Sequence, residues 1–219
     1  MHKSINNLLS VENKLNVSKS SANKTVPKII AVSKTFSIEK ILPLLEHGHK
    51  EFGENKVQEA VEKWTKIKNK FQNINLHMLG KVQTNKVRFL LPLFDYLHSL
   101  DNLKLAEKIS KEEVKKNKKL KIFIQINFDN EIQKSGITLS ELEEFYKECT
   151  LNLNLNIIGL MCLPPVNRDP EIFFKKLKES ASKIQLDELS MGMSNDFEIA
   201  ARNGSTFLRI GSKIFGMRN

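Results

Sequence analysis

Lys28-Ile29-Ile30-Ala31-Val32-Ser33-Lys34-Thr35 is an apolar run of strand length that ends in a hydroxyl and a lysine, just ahead of the amphipathic pattern Ile38–Glu46. One such strand–helix unit says little, but this one recurs along the chain. Further short apolar runs fall at Glu51–Gly53, Leu76–Leu79, Asp95–His98, Lys121–Ile126, Asn156–Met161, Asp187–Leu189 and Thr206–Ile210. Helical periodicity fills segments between them, such as Lys56–Ile67, Asn102–Lys116, Leu139–Cys149 and Glu171–Ile184. Eight strand–helix units joined by short loops predict an α/β fold, a closed parallel (β/α)8 barrel of the TIM type. An extra helix, about Ser4 to Asn16, and a polar loop precede the first strand, so residues 1–27 form an N-terminal extension of one domain spanning 1–219. The open doubly wound sheet is the competing fold. It lacks support because no Gly-rich dinucleotide fingerprint follows the first strand and no phosphate-binding Walker loop is present.

Composition narrows the class further. No apolar stretch approaches the roughly 18–20 residues that span a bilayer, and Met1-His2-Lys3-Ser4-Ile5-Asn6-Asn7 lacks the apolar core of a signal peptide. A cytoplasmic location is therefore expected. Cys149 and Cys162 are too few for a disulfide framework or a zinc site and read as small apolar residues in a reducing compartment. The net charge of +10 raises nucleic acid as a partner. However, the lysines are scattered, and their densest run, Lys115-Lys116-Asn117-Lys118-Lys119, falls at a helix C-terminus, where the dipole favours cations. Interleaved aromatics and nucleic-acid motifs are missing. His47-Gly48-His49 reads as a helix end closed by its glycine rather than as a metal pair, and no metal is expected.

A barrel of this type keeps its chemistry at the C-terminal ends of its strands. Lys34 stands at the end of the first strand and Asn55 just beyond the second, while His77 lies in the third. The seventh runs into Ser190-Met191-Gly192-Met193-Ser194, with a helix expected to start at Ser194, and the eighth into Arg209-Ile210-Gly211-Ser212. Hydroxyls, glycines and helix N-termini in the last two loops are the elements of an anion site, which implies a phosphorylated ligand. A lysine at a partly dry barrel mouth can act as a Schiff-base amine. Lysine and phosphate cradle together suggest pyridoxal 5′-phosphate (PLP).

At these residues the sequence resembles the pyridoxal phosphate homeostasis protein family, the PLP-binding barrels related to the N-terminal domain of alanine racemase. The resemblance runs through nearly the whole chain. It rests on Ala31-Val32-Ser33-Lys34-Thr35, Phe52-Gly53-Glu54-Asn55 with Gln58-Glu59, and His77-Met78-Leu79-Gly80-Lys81-Val82-Gln83-Thr84-Asn85-Lys86. It continues through Gln125-Ile126-Asn127, Gly159-Leu160-Met161, Leu189-Ser190-Met191-Gly192-Met193-Ser194 and Arg209-Ile210-Gly211-Ser212. It implies a single-domain barrel of PLP fold type III in which Lys34 carries the cofactor as a Schiff base and Asn55 and His77 lie close to it. Ser190, Gly192, Gly211 and Ser212 would help hold the phosphate, Met191 and Ser194 would belong to the same cofactor site, and Arg209 would face the pyridine nitrogen. Lys134, in Glu131-Ile132-Gln133-Lys134-Ser135-Gly136, is a possible second PLP contact by analogy, with a surface loop lysine as the plain alternative. The sequence departs from the family at Leu76, Cys162, Asn195 and Ser212, and none of these departures removes a group with a named role.

The function implied is intracellular PLP homeostasis, buffering the cofactor and delivering it to PLP-dependent apo-enzymes, with no catalytic residues assigned and a monomer expected. An amino-acid racemase is the alternative. It would need a second base opposite the lysine, and the two tyrosines, Tyr96 in the fourth strand run and Tyr146 in a helix, are not placed for that role. The sequence also ends at Asn219, directly after the barrel, where racemases of this type continue into a second domain.

Overall fold

A computed structural model describes residues 1–17, 26–129 and 135–217. Eight strands close into a barrel in chain order: β1 (Lys28–Val32), β2 (Glu51–Glu54), β3 (Asn75–Met78), β4 (Tyr96–Leu100), β5 (Lys121–Ile126), β6 (Ile157–Cys162), β7 (Glu188–Met193) and β8 (Phe207–Ile210). Every neighbouring pair is parallel. The helices are α1 (Lys3–Val17), α2 (Ile38–Glu46), α3 (Val57–Lys70), α4 (Val87–Leu93), α5 (Leu103–Lys116), α6 (Leu142–Lys147), α7 (Pro170–Lys183), α8 (Phe197–Arg202) and α9 (Ser212–Phe215). The predicted barrel and its N-terminal helix are both present.

Local chemistry sets the helix ends. The Asn102 side chain accepts the Leu105 N–H at 2.9 Å to start α5, and Asn117 ends it in the left-handed conformation, φ 48°. Asp169 caps α7 with Pro170 at its first position. Gly48, φ +91°, closes α2 with its N–H on Leu45 O, as expected of His47-Gly48-His49. The lysine run straddles the end of α5, with Lys115 and Lys116 in its last turn. There Lys119 pairs with Glu113 at 3.0 Å, and Lys118 donates to Phe94 O at 2.8 Å.

Two differences from the sequence reading have physical causes. Strand β7 continues to Met193 rather than stopping at Leu189, so Ser190 and Gly192 lie within it, and helix α8 begins at Phe197, not Ser194. An inward polar residue, Ser190, followed by a glycine two positions on looks like a loop when read for hydrophobicity alone. Beyond α6 the expected helix runs on to Cys149, but its last turns, Glu148–Asn152, widen into a π-helix.

Two apolar cores result. The larger lies between sheet and helices and includes Phe52, Trp64, Leu76, Ile122, Phe174 and Leu208. The smaller fills the barrel itself with Ile30, Tyr96, Phe123, Met161 and Phe207. Helix α1 seals the outer core with Leu8, Val11 and Leu15, which are no more than 3% exposed. Leu8→Ala is therefore expected to cost about 2–5 kcal/mol of stability, read from the urea unfolding midpoint; a change within error would show that α1 is not part of the cooperative unit.

Candidate functional site at the barrel mouth

Lys34 sits in a tight turn at the C-terminal end of β1, half-buried. Its neighbours fix that turn. Thr35 takes a left-handed conformation, φ 66°, unusual for a branched residue, and its N–H donates to Glu59 Oε1 at 2.6 Å. On the other side Lys63 Nζ donates to Ser33 O, Glu54 Oε1 and Glu59 Oε1, each at 3.0 Å. Glu54, fully buried, also accepts from Ser33 Oγ at 2.7 Å and from the Trp64 indole at 2.9 Å. Helix α3 thus grips the backbone on both sides of Lys34. Burial pushes the Glu59 carboxyl up, but the Thr35 N–H and Lys63 outweigh it and hold it below its ordinary value. Its contribution is present above the ordinary carboxylate range and is lost as pH falls through the lowered value.

The closing pair of strands sets the far wall. Ile30 faces Arg209 and Ala31 faces Ile210, which brings the end of β8 beside the lysine turn. Arg209 is 5% exposed, and its guanidinium donates from Nη1 to Ser190 Oγ at 2.7 Å and from Nη2 to Cys162 O at 2.8 Å. Burial pulls its pKa down, yet an arginine stays charged at any accessible pH. Two of its five N–H groups are occupied in this way, leaving donors for a ligand.

The two loops expected to hold a phosphate are tied to each other. Ser194 Oγ accepts the Lys213 N–H at 3.3 Å, joining the turn after β7 to the start of α9. Gly192 has φ +92°, and a Cβ there would lie 2.4 Å from the Ala200 Cβ, so this turn demands glycine. At Gly211 an added Cβ would meet nothing closer than Val32 Cβ at 3.5 Å; that open space lets a ligand approach the backbone. Ser212, exposed, begins α9.

Asn55 is half-buried in the loop after β2 and is anchored by the backbone of the next loop: a Cβ on Gly80 would fall 2.3 Å from Asn55 O, and Ser99 Oγ holds Gly80 O at 2.7 Å. Three of the expected residues point elsewhere than the mouth loops. Ser190 is fully buried inside the barrel, its hydroxyl against His98 and Arg209. His77 is likewise fully buried, its ring between Glu51 and His98. The Met191 side chain lies in the outer core and its carbonyl accepts from Ser205 Oγ. Lys134 lies outside the described residues. His98, Glu51 and Lys63 are the polar groups that strand-end reasoning passed over. Their signal is only that each is a charged or ring-bearing residue where an apolar strand or a solvated helix face would do.

Among the described residues no group of three His, Cys, Asp or Glu is arranged to hold a metal, and no helix is long and apolar enough to cross a membrane. Both thiols are buried and pushed up to about 12 by desolvation, which leaves them inert at neutral pH.

An eight-stranded barrel with a gripped lysine at its first strand and an arginine and anion-receptive loops at its last defines a cofactor-binding barrel. The chain belongs to the alanine racemase N-terminal domain family, whose model matches residues 7–219. It is 38% identical to the pyridoxal phosphate homeostasis protein of Aquifex aeolicus, over 87% of each chain. It is also 35% identical to the protein of that name in Escherichia coli, over 97% of this chain and 96% of that one. Among solved structures, PipY of Synechococcus elongatus with PLP bound superposes with a TM-score of 0.85 at 29% identity, covering 97% of this chain and all of PipY. Alanine racemase of Clostridium difficile, 13% identical, shares the fold with a TM-score of 0.70, covering 97% of this chain and 57% of the racemase.

Lys63→Met leaves the buried Glu54 charge without its ammonium partner and frees the turn that carries Lys34. A loss of about 3–5 kcal/mol in urea unfolding is expected, and Glu59→Gln should cost less because its partner Thr35 N–H keeps an acceptor. Near-native stability of Lys63→Met would show that Glu54 needs no counter-charge.

Proposed function

We propose that this protein holds pyridoxal 5′-phosphate covalently through Lys34 and serves intracellular PLP homeostasis, keeping the cofactor and handing it to apo-enzymes, without turning over amino acids. The observation that carries this reading is the placement of Lys34 just past the end of β1 and of Arg209 near the end of β8, the two strands that close the barrel. When bound, PLP supplies an aldehyde carbon open to amines and a ring able to accept electron density. In this reading Lys34 would bond to the aldehyde carbon, whose oxygen would leave as water, and Ser194, Gly211, Ser212 and the backbone at Gly192 would receive the phosphate. The residues fit that ligand, since Gly211 leaves space beside its backbone and Ser194 draws the two loops together. Arg209 would face the ring nitrogen. A guanidinium donates a hydrogen bond without surrendering its proton, so the ring stays a weak electron acceptor, which suits holding the cofactor more than chemistry on it. The relatives named above for PLP homeostasis, and PipY with its bound PLP, support the assignment.

Racemase activity is the second reading and it meets an obstacle in the tyrosines. Tyr96 is 3% exposed, stacked on His77 inside the barrel, and Tyr146 packs from α6 against the outer core. Neither is placed to move a proton at the mouth. Two inert thiols, and no membrane-crossing helix among the described residues, suit a cytoplasmic protein.

Purified protein mixed with PLP should gain a visible absorption band. Borohydride reduction and peptide mapping should then place the pyridoxyl group on Lys34, and Lys34→Ala should abolish both. Labelling at another lysine, or efficient racemisation of a free amino acid that depends on Lys34, would replace this reading.

A further inference from the structure

Five polar side chains cross the barrel interior in an unbroken line. Glu51 Oε2 lies 2.7 Å from His77 Nε2, and His77 Nδ1 lies 2.9 Å from His98 Nε2. His98 Nδ1 is 2.8 Å from Ser190 Oγ, which accepts from Arg209 Nη1 at 2.7 Å. Glu51 is the first residue of β2, at the end of the barrel opposite the mouth, where its other oxygen accepts from Asn75 Nδ2 at 2.8 Å. The line therefore runs from the floor of the barrel to the arginine below its mouth.

The ends of the line decide where its protons sit. Arginine can only donate and a carboxylate can only accept. Burial depresses both imidazoles, His98 further through its neighbours His77 and Arg209, so each ring carries a single proton. One order then satisfies every member. Arg209 donates to Ser190, the Ser190 hydroxyl to His98 Nδ1, His98 Nε2–H to His77 Nδ1, and His77 Nε2–H to Glu51. The reverse order would set a ring lone pair against the Glu51 carboxylate and bring His98 as a second donor onto the Ser190 oxygen. The rings cannot turn to escape this choice. His77 stacks on Tyr96 at 4.2 Å, His98 stacks on Phe123 at 4.4 Å, and Phe207 packs against both.

We propose that Glu51, His77 and His98 are positioning residues for Arg209: the charge on Glu51 fixes the proton order along the line, so Ser190 meets the guanidinium as an acceptor with no competing donor and holds it in one pose for the cofactor. The proposal rests on the reading that Arg209 faces the PLP ring. It makes cofactor affinity depend on a carboxylate at the other end of the barrel, with no contact between the two. The other charged groups that bear on the line are Lys28 from β1, which opposes charge on His77, and Asp95, which favours it; Lys121 from β5 lies over the Tyr96 ring.

Glu51→Gln tests this, because an amide can donate to His77 Nε2 and so admits the reverse order. Nitrogen-15 ring spectra of the cofactor-free protein should show both histidines protonated at Nε2 in the wild type, and protonation moving to Nδ1 in Glu51→Gln. The PLP dissociation constant, read from the visible band, should rise about tenfold, on the scale of one hydrogen bond to a charged group. Glu51→Asp, which keeps the charge, should recover both. Unchanged rings in Glu51→Gln overturn the proposal, and so do altered rings with unchanged affinity, which would show that the line stops short of Arg209. The wild type offers a test without substitution, should Glu51→Gln fail to fold. As pH falls, a second proton on His77 forces the reverse order, so PLP affinity should fall along with ring protonation; affinity that stays level through that protonation sinks the idea. A wild-type protein that takes up no PLP at Lys34 defeats the reading of the site instead, and the proposal with it, whereas normal uptake with an indifferent Glu51→Gln removes the line alone.

Discussion

The pairing of β1 with β8 is the constraint on which the rest of the structure depends. Where Lys28 meets Phe207 and Ile30 meets Arg209, the first and last thirds of the chain join into one sheet. The pairing is long-range, and the loop-closure entropy it costs is recovered only through the contacts it completes. Those contacts include the inner core, since Ile30 and Phe207 belong to it. They also create the mouth, because Lys34 and Arg209 share a wall only when the barrel is shut.

Two polar assemblies hang on that frame, and they differ in kind. The one around Glu54 is an ion-paired clamp on backbone: Lys63 and Glu54 are almost wholly withdrawn from water and hold the carbonyl and hydroxyl of Ser33. A buried pair of this sort adds little net stability compared with apolar packing, but it fixes geometry strictly. The other, from Glu51 to Arg209, replaces the branched aliphatic layers usual in such barrels with hydrogen-bonded rings. Satisfied at every position, it rigidifies the interior.

Much of this was legible in the sequence, and the remainder was hidden for specific reasons. Strands β1 and β5 and helix α2 have the predicted bounds because their apolar patterns stop at polar residues or glycine. Strand β7 reads short because Ser190 faces a polar interior, which reverses the usual sign of an inward position, and the register with β8 shifts between Ser190 and Met193. Helix α4, seven residues with Pro92 inside, is too short to register as a period. The mouth residues Lys34 and Arg209 follow from their places at strand ends. The roles of His98 and Glu51 do not, because a line joining residues 51, 77, 98, 190 and 209 is created by barrel closure and has no fixed spacing along the chain. Ser190 shows the limit most clearly. Its glycine-bearing run reads as a phosphate loop, and nothing local announces that its hydroxyl lies against His98 and Arg209 inside the barrel.

The position of Trp64 has an optical consequence. It is the sole tryptophan in 219 residues, fully buried, with its indole N–H on the same carboxylate oxygen that receives Ser33 and Lys63. The intrinsic ultraviolet emission of this protein therefore originates from one corner, two hydrogen bonds removed, through Glu54, from the residue before Lys34. Events at the lysine turn are reported by a native chromophore, while the tyrosines and the distant helices contribute almost nothing to that signal.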